Sequence, residues 1–347
     1  MAEARSAGLC IASGSTYPEF AESVAGHLGV EATSMERRRF SNGELFVRYE
    51  ESLRGKDVFV FQTHDSQSTF YDNWSINDAI QEQILMIDAA VGASADHVTA
   101  VCPYFGYSRQ DKKTDGRVSI AARRIARQLI NAGAERIISM DLHSAQTQGF
   151  TDDNKPFENV YGSSVILPRV EEWAADKDPT QIAVVTPDTG GIKRAAYYRK
   201  KLSRDPNDHT EVEKVELAII DKDRSPDSSN VEAGYLIGVV AGKHCVIVDD
   251  MFDTAKTLAA AGDFVLKRGA LSVIAAGTHG LLSGPAVKYL NDSQYERVLV
   301  TDTVSQHAKE ILLPKQRTTS VTPIFSEAVK RIHYNDSVSG MFEAGQL

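Results

Sequence analysis

The chain has 347 residues and a formal net charge of -9 at pH 7, and its composition is 42% hydrophobic and 24% charged. This length predicts two domains of roughly 100–200 residues each, and the apolar content excludes extended disorder. The acidic balance argues against a general nucleic-acid-binding protein, which needs a basic surface to displace counterions. Phosphate-binding enzymes stay open, because a few local cations and backbone amides suffice for them.

The three cysteines, Cys10, Cys102 and Cys245, each lie in an apolar stretch. An odd number cannot form a closed disulfide framework, so we expect buried, reduced thiols. The first ten residues lack the apolar core of a signal peptide. The longest uncharged run, Ala270–Val287, is broken by Gly, His, Ser and Pro, which argues against a membrane span. The sequence therefore predicts a soluble cytoplasmic protein without a membrane partner.

Short apolar runs rich in β-branched residues alternate with amphipathic helical stretches. The predicted strands are Leu9–Ala12, Val58–Gln62, Val98–Cys102, Arg136–Asp141, Ile182–Thr186, Glu216–Ile220, Cys245–Asp249, Val273–Gly277 and Val298–Thr301. Most are apolar throughout, as is typical of parallel strands covered on both faces. Ile80, Ile84, Ile87 and Val91 recur at helical spacing between two of them. This alternation predicts an α/β fold with right-handed crossovers.

Three Gly-Ala pairs, at residues 92–93, 133–134 and 269–270, each precede a predicted strand. Each is typical of a helix closed by glycine before a buried strand, and the repetition is compatible with two similar α/β halves. The polar stretch Thr151–Asn159 is the best place for a boundary. The expected domains are therefore residues 1–155 and 156–347, and packing of the tail after about Val304 onto the first domain stays open.

The sharpest chemical signal is the segment Val246–Thr257. An apolar strand ends in Asp249 and Asp250, and a short loop containing Thr254 leads into a helix. Free backbone N–H groups at such a helix start favour phosphate, and the two acids lie where the hydroxyls of a sugar could donate to them. A solvated turn with an Asp or Thr cap is the simpler interpretation, but an acidic pair followed by D-T-x-x-T is much rarer.

This segment resembles the phosphoribosyl-diphosphate motif of type I phosphoribosyltransferases and of ribose-phosphate pyrophosphokinases. The other segments resemble the pyrophosphokinases alone; they are FSNGE from Phe40, CPYFGYSRQDKK from Cys102, MDLHS from Met140, TPDTGGIKRA from Thr186 and THGLLSGPA from Thr278. They follow the order of that family. The chain is therefore identified as resembling the ribose-phosphate pyrophosphokinase family, which implies an α/β fold with two similar phosphoribosyltransferase type I-like domains, each a mainly parallel sheet flanked by helices.

The resemblance implies a reaction and an assembly. The β,γ-diphosphoryl group of ATP would pass to the 1-hydroxyl of ribose 5-phosphate, giving phosphoribosyl diphosphate and AMP for nucleotide biosynthesis. Charge must then be neutralised on two phosphates and on the departing AMP oxygen, which calls for Mg2+ and positioned cations rather than a covalent nucleophile. The family also implies a homohexamer built from dimers, in which the loop near Phe40 reaches the site of a neighbouring subunit.

A role for each motif residue follows from the resemblance. ATP would be bound by Phe40, stacked on adenine, by Asn42 and Glu44 at its polar edge, and by Arg109, Gln110, Asp111, Lys112 and His143. Ribose 5-phosphate would be bound by Asp249, Asp250, Asp253, Thr254, Ala255, Lys256 and Thr257. Mg2+ would be held by His143, directly or through the ATP phosphates, and by Asp188, with Asp141 as a helper. Lys222 and Arg224, in a polar flap, would be the catalytic cations.

Three positions depart from the usual pattern of the family. Lys256 stands where the phosphate loop usually has glycine, Asp223 lies between the two catalytic cations, and Lys112 replaces an arginine, which loses bidentate geometry. Lys256 fits if its backbone keeps a negative φ, with its side chain turned outward or in contact with phosphate. These departures motivate a second hypothesis, a catalytically weakened homologue that regulates an active partner. A simple phosphoribosyltransferase is a third, but it leaves the motifs of the first half unexplained.

Overall fold

The computed structural model describes residues 8–151, 154–203, 215–222 and 234–342. Within these residues the strands are β1 (Leu9–Ser13), β2 (Met35–Arg39), β3 (Leu45–Tyr49), β4 (Asp57–Phe61), β5 (His97–Cys102), β6 (Arg136–Met140), β7 (Phe157–Val160), β8 (Ile182–Thr186), β9 (Glu216–Lys222), β10 (Gly234–Ile237), β11 (His244–Phe252), β12 (Ser272–Gly280), β13 (Val298–Thr301) and β14 (Gln316–Thr319). The α-helices are α1 (Pro18–Leu28), α2 (Ile76–Gly92), α3 (Ala121–Asn131), α4 (Ser163–Ala174), α5 (Ile192–Leu202), α6 (Lys256–Lys267), α7 (Ala286–Asp292), α8 (His307–Leu312) and α9 (Thr322–His333).

The chain divides into two compact units. Unit 1 comprises the described residues up to Tyr161 together with Thr303–Ser305 and Val321–Phe342, and unit 2 comprises those of Gly162–Asp302 and Gln306–Ser320. The boundary expected between residues 155 and 156 therefore lies after Tyr161 instead, because β7 pairs in parallel with β6 of the first sheet. Helix α9 lies in the tail whose packing the sequence left open, and it belongs to unit 1.

The sheet of unit 1 has the order β1-β4-β5-β6-β7, and all its strands are parallel. Beside β1, Ala32 forms an isolated parallel bridge to Ile11. Strands β2 and β3 form a separate antiparallel pair. One face of the main sheet contributes Val58, Val60 and Ala100 to a core that includes residues of α2 and α3. The helices thus cover apolar strands, as the uninterrupted apolar runs predict.

Helix α9 covers apolar residues of the same unit through aromatic contacts. Phe325 lies edge-on to Phe20 of α1 at 5.5 Å between ring centroids, and to Phe61 of β4 at 6.4 Å. At the end of the helix, His333 Nδ1 lies 2.9 Å from Asp57 Oδ2, and both residues are buried. The C-terminal helix is therefore an integral part of the core of unit 1.

The sheet of unit 2 has the order β10-β9-β8-β11-β12-β13-β14. Its pairs are parallel except β10 with β9. Successive residues of β11 enter opposite cores: Cys245 and Ile247 pack in one cluster, and Val246 and Val248 in the other. Both faces of this strand are buried, which explains why the sequence shows no polar alternation here.

Three helices end in the same way before a strand. The residue in the left-handed conformation is Ser94 (φ 63) after α2, Gly133 (φ 115) after α3 and Gly269 (φ 90) after α6. In each case the next N–H donates to the carbonyl five residues back, as from Ala134 to Leu129. Glycine closes two of these helices as predicted, but Gly92 is still the last residue of α2, so the first closure occurs two residues later at a serine.

All nine predicted strands are confirmed, but their ends shift and further strands occur. β11 runs three residues beyond Asp249 to Phe252, because its backbone pairs with β12 as far as Gly280. The sequence prediction missed β2, β3, β7, β10 and β14. Most of these lie at a sheet edge or in the separate hairpin, where burial is incomplete and the apolar signal is weak.

Among the described residues, no helix is both long enough and apolar enough to cross a membrane. The three cysteines are free and buried, as expected. Burial raises the pKa of Cys10 to about 11 and the pKa values of Cys102 and Cys245 to about 12.

We therefore expect the native thiols to react slowly with disulfide reagents. At pH 8 a thiol with a pKa near 11 is ionised to only about 0.1%, and the thiolate is the reactive species. Titration with a chromogenic disulfide should detect no fast-reacting thiol in native protein and three in guanidinium chloride. A stoichiometric fast phase without denaturant would contradict the burial of these residues.

Candidate functional site

The hairpin of β2 and β3 presents the first predicted motif at its tip. The Phe40 N–H donates to the Glu44 carbonyl and the Gly43 N–H to the Phe40 carbonyl, each at 2.8 Å. Gly43 has φ 94, a conformation that favours glycine. The Asn42 side chain accepts from the Glu44 N–H at 3.2 Å, so its oxygen shapes the turn. The tight turn leaves the Phe40 ring 45% exposed.

One side of the Phe40 ring already has neighbours. Its centroid lies 6.4 Å from that of Phe46 in an edge-on arrangement, and the Arg38 guanidinium is 5.3 Å from it. The same guanidinium lies over Phe46 at 4.2 Å. This cation–aromatic cluster orients the exposed ring, which suits stacking on a planar ligand.

The second motif follows β5. Tyr104, Phe105 and Gly106 are buried directly after the strand, whereas Arg109, Gln110 and Lys112 are exposed and Asp111 is half-buried. Tyr107 has a left-handed backbone (φ 59), and its carbonyl accepts from the Gln110 N–H at 2.8 Å. The first residues of this loop are thus buried, and the positively charged residues that follow are exposed. The loop lies at the carboxyl end of a parallel strand, where α/β sheets bind ligands.

His143 lies three residues beyond the end of β6 and is exposed. The preceding Asp141 has φ 38, and its N–H donates to the Val160 carbonyl at 2.9 Å. The Leu142 N–H donates to Asn159 Oδ1 at 3.0 Å. Non-glycine residues in this backbone region are strained and cluster at functional sites. Strand β7 therefore holds the strained turn that presents His143.

In unit 2, Asp188 follows β8 and caps a short 3-10 turn. Its Oδ1 accepts from the N–H groups of Gly190 at 2.8 Å and Gly191 at 3.2 Å. A Cβ at Gly191 would lie 2.3 Å from Thr186 Oγ1, so this close turn requires glycine. One carboxylate oxygen of Asp188 is thus committed to the backbone, and the half-buried side chain keeps the other for a ligand.

Asp249 and Asp250 are adjacent within β11, which continues to Phe252, whereas the sequence predicted that the strand ends with this acidic pair. Burial, with the neighbouring Asp250 carboxylate, raises the pKa of Asp249, and Arg194 opposes that shift. Arg194 Nη1 lies 3.5 Å from Asp249 Oδ1 and 3.9 Å from Asp250 Oδ1. Arg194 belongs to the TPDTGGIKRA segment, but the sequence did not predict a role for it. Its position on α5 makes it the counter-charge of the acidic pair.

The predicted phosphate loop joins β11 to α6. Asp253 is half-buried, Thr254, Lys256 and Thr257 are exposed, and Ala255 is buried with φ 55. Left-handed strain therefore falls on Ala255, and Lys256 begins the helix without a positive φ. The N-cap residue of this helix, Ala255, makes no side-chain cap hydrogen bond. The start of a helix presents backbone N–H groups, which suits anion binding.

A second loop, which sequence reasoning assigned no role, braces the phosphate loop. In the THGLLSGPA segment, the Leu282 N–H donates to the Phe252 carbonyl at 2.8 Å and the Ser283 N–H to the Asp253 carbonyl at 2.9 Å. Leu282 and Ala255 also pack in one apolar cluster. These contacts hold the backbone where Ala255 is strained.

The remaining predictions divide between the two units. Lys222 is the last residue of β9, and Arg224 lies outside the described residues. The predicted ATP-binding residues are all in unit 1, and Asp188 and the predicted ribose 5-phosphate residues are in unit 2. Within the described ranges, no three His, Cys, Asp or Glu side chains are grouped as for a metal ion.

Comparisons with known proteins cover both units. A family model described as the N-terminal domain of ribose phosphate pyrophosphokinase matches residues 9–133, and one described as a phosphoribosyl synthetase-associated domain matches residues 181–343. The chain is 40% identical to the ribose-phosphate pyrophosphokinase of Gloeobacter violaceus, across 96% of this chain and 93% of the relative. It is 42% identical to that of Synechocystis sp., across 96% and 92%.

A solved structure agrees with these sequence relatives. The crystal structure of phosphoribosylpyrophosphate synthetase from Mycobacterium smegmatis matches with a TM-score of 0.83 and 36% identity, over 94% of this chain and 99% of that one. Fold and sequence thus agree over nearly the whole chain, which belongs to the ribose-phosphate pyrophosphokinase family.

Proposed function

We propose that this chain transfers the β,γ-diphosphoryl group of ATP to the 1-hydroxyl of ribose 5-phosphate, releasing AMP. The observation that carries the proposal is the pairing of two loop systems in one chain. Unit 2 has an acidic pair followed by a phosphate loop, and unit 1 has an exposed aromatic hairpin tip and a basic loop. A simple phosphoribosyltransferase would account for the first system alone.

ATP binding falls to unit 1 in this proposal. The exposed Phe40 ring offers a stacking surface for adenine, and Arg109 and Lys112 supply exposed positive charge for phosphates. Lys112 keeps the charge of the usual arginine without its forked geometry. Asn42, Glu44, Gln110, Asp111 and His143 complete the proposed set of ATP contacts.

Ribose 5-phosphate binding falls to unit 2. The first N–H groups of α6 and the hydroxyls of Thr254 and Thr257 would hold the 5-phosphate, with Asp253 beside them. Lys256 lies at the positive end of the helix dipole, an unfavourable place for a cation unless an anion binds there. Asp249 and Asp250 would accept from ribose hydroxyls, with Arg194 limiting their mutual repulsion.

Of the two residues predicted to bind Mg2+, Asp188 has suitable donor chemistry and His143 is less suitable. The carboxylate oxygen of Asp188 that does not cap the glycine turn is a hard donor of the kind Mg2+ prefers. The imidazole nitrogen of His143 suits Mg2+ less well, which favours its contact through the ATP phosphates. When bound, Mg2+ would neutralise charge on the phosphates. Lys222 and Arg224 would stabilise the charge that develops during transfer.

We further propose that the protein is cytoplasmic and assembles as a homohexamer built from dimers. The exposed Phe40 at a hairpin tip supports the idea that this loop serves the site of a neighbouring subunit. The rival hypothesis of a weakened regulatory homologue rested on Lys256 and Asp223. The helical backbone of Lys256 weighs against it, because a glycine is not required there.

The direct test is incubation of the purified chain with ATP, Mg2+ and ribose 5-phosphate, with AMP measured by chromatography. AMP and phosphoribosyl diphosphate should form in equal amounts, and only when all three components are present. Release of ADP, or no turnover in the presence of bound substrates, would overturn the assignment.

Lys222→Ala should lower kcat by at least about 100-fold, with less than about a threefold change in the KM for ATP. A cation engaged mainly in the transition state is expected to affect turnover more than ground-state binding. Steady-state kinetics of this variant should be compared with Lys288→Ala, which removes an exposed lysine of α7. Near-normal turnover of Lys222→Ala would exclude Lys222 from catalysis.

His143→Ala and Asp188→Ala should each raise the Mg2+ concentration that gives half-maximal activity. Each removes one donor to the metal or to its phosphate ligands. His27→Ala and Asp88→Ala, at exposed helical positions, are the matched controls. If the magnesium titrations of all four variants coincide with that of the parent, the proposed metal site is wrong.

Lys256→Gly should change the affinity for ribose 5-phosphate by less than about tenfold, or about 1.4 kcal/mol, because the helical backbone presents its N–H with either residue. Calorimetric binding should be compared with Lys256→Ala. Equal changes in the two variants would assign the effect to the ammonium group, whereas a change in Lys256→Gly alone would assign it to the backbone. A parent that fails to bind while Lys256→Gly binds would favour the regulatory homologue.

A further inference from the structure

A buried polar cluster in unit 1 lies next to the basic loop and has no role in the function proposed above. His64, three residues beyond β4, and Gln83, on α2, are both completely buried. His64 Nε2 lies 2.8 Å from Gln83 Oε1, and His64 Nδ1 accepts a hydrogen bond from the Gly106 N–H at 3.0 Å. We call these two side chains the His64–Gln83 clamp.

The hydrogen bonds of the clamp define its protonation. A backbone N–H can only donate, so His64 Nδ1 is an acceptor and the ring proton is on Nε2, from which it donates to Gln83 Oε1. The Gln83 NH2 group donates in turn to the carbonyls of Val60 at 3.0 Å and Val101 at 3.3 Å. The Cys102 thiol donates to the same Oε1 at 3.3 Å.

The imidazole is therefore neutral and has one tautomer. Burial lowers the pKa of His64 to about 4, so the ring stays uncharged at neutral pH. The clamp joins the ends of β4 and β5 to the middle of α2 without an unpaired nitrogen. Buried networks that are fully satisfied in this way fix a single local geometry.

What the clamp holds is the base of the Arg109 loop. The backbone N–H of His64 donates to the Tyr104 carbonyl at 3.0 Å, and the backbone N–H of Tyr104 donates to Thr63 Oγ1 at 3.2 Å. A Cβ at Gly106 would lie 2.8 Å from Ile76 Cδ1 and 2.9 Å from His64 Cβ. Hydrogen bonds therefore hold the backbone from Tyr104 to Gly106, and close side-chain contacts at Gly106 restrict its movement.

We infer that His64 is a positioning residue for ATP, acting through the Gly106 N–H on the direction in which Arg109 and Gln110 leave the sheet. The inference rests on the proposed function of the Arg109 loop. Only two residues, Tyr107 and Ser108, lie between Gly106 and Arg109, and Tyr107 has a left-handed backbone. A rotation of the Gly106 peptide would therefore be passed directly to the exposed side chains.

Two substitutions separate this role from general support of the core. In His64→Asn, Oδ1 takes the place of Nδ1 and can accept from the Gly106 N–H, but contact with Gln83 is lost. In His64→Gln, the longer amide reaches the place of Nε2 and can bond Gln83, but the acceptor for Gly106 is lost. Each variant removes one hydrogen bond and the ring, so both should lower the melting temperature to a similar extent.

We expect His64→Gln to have a KM for ATP at least fivefold above that of His64→Asn, with the KM for ribose 5-phosphate within twofold of the parent in both. Arg109→Ala serves as the reference for the loop. If Arg109→Ala raises the KM for ATP while the two His64 variants change equally or not at all, His64 is structural and the inference fails. If Arg109→Ala leaves that KM unchanged, the loop does not bind ATP, and the proposed function of the loop fails as well.

A measurement on the parent protein tests the inference even if the variants do not fold. Nitrogen NMR of histidine-labelled protein should show the Nε2–H tautomer for His64 at pH 7, and the Gly106 amide should exchange slowly with solvent. A protonated Nδ1, or rapid exchange of the Gly106 amide, would overturn the inference without any substitution.

Discussion

The sheets of both units bury their strands on two faces, and this constraint determines where polar chemistry can lie. Within β11, alternate residues enter two different apolar cores, so a charged group on most of that strand would lose its hydration. Charged residues are tolerated where the strands run out of the core. The acidic pair of β11, His143 after β6 and Asp188 after β8 all lie at carboxyl ends of parallel strands. Burial of the strands therefore determines where the candidate site residues can lie.

The backbone is locally strained at two of these strand ends, and neighbouring segments stabilise the strained conformations. Asp141 and Ala255 both adopt positive φ without being glycine. Each costs on the order of 1 kcal/mol or more and persists because a neighbouring strand or loop bonds the backbone beside it. For Asp141 the neighbour is β7, through the Val160 carbonyl, and for Ala255 it is the loop containing Leu282 and Ser283. Loss of these braces would be expected to relax the turns.

Sequence reasoning located the apolar strands well because continuous β-branched runs have few other interpretations. It missed β2, whose sequence MERRR reads as a charged surface run. That strand is stabilised by pairing with β3 and by stacking of Arg38 on Phe46, which only the folded hairpin provides. On α2 the apolar period suggested that Val91 would be buried, yet Val91 is 45% exposed while Glu82 and Gln83 are buried. Their partners come from β4, β5 and the loops after β1 and β4, so no local pattern could indicate their burial.

The candidate site residues were predicted from motifs, and the motifs did not reveal which residues support them. Arg194 was quoted inside a motif, but its function as counter-charge depends on the approach of α5 to β11, which is a tertiary contact. Glu82 is similar: its carboxylate accepts from the N–H and hydroxyl of Ser15 at 2.6 Å each, and so fixes the loop after β1. Buried polar residues on a helix are thus the part of such a site that sequence periodicity conceals.

The strand order shows that the two units are variations of one design. Around β8 the order is β9-β8-β11-β12-β13-β14, and around β1 it is the Ala32 bridge followed by β1-β4-β5-β6-β7. In both, the chain passes beside the first strand and then forms an antiparallel pair, β2–β3 in unit 1 and β9–β10 in unit 2. The pairs β2–β3 and β9–β10 therefore occupy equivalent places in the topology.

In the same correspondence, β4 is equivalent to β11 and β5 is equivalent to β12. The loops that follow these strands have different roles in the two units. In unit 2 the loop after β11 is the predicted phosphate loop, and the loop after β12 braces it through Leu282 and Ser283. In unit 1 the loop after β5 is the exposed basic one, and the residues after β4, Thr63 and His64, brace it. Adjacent parallel strands end side by side, so one of the two loops can always support the other. Because the supporting loop differs between the units, one architecture exposes a different loop in each unit without a change in strand order.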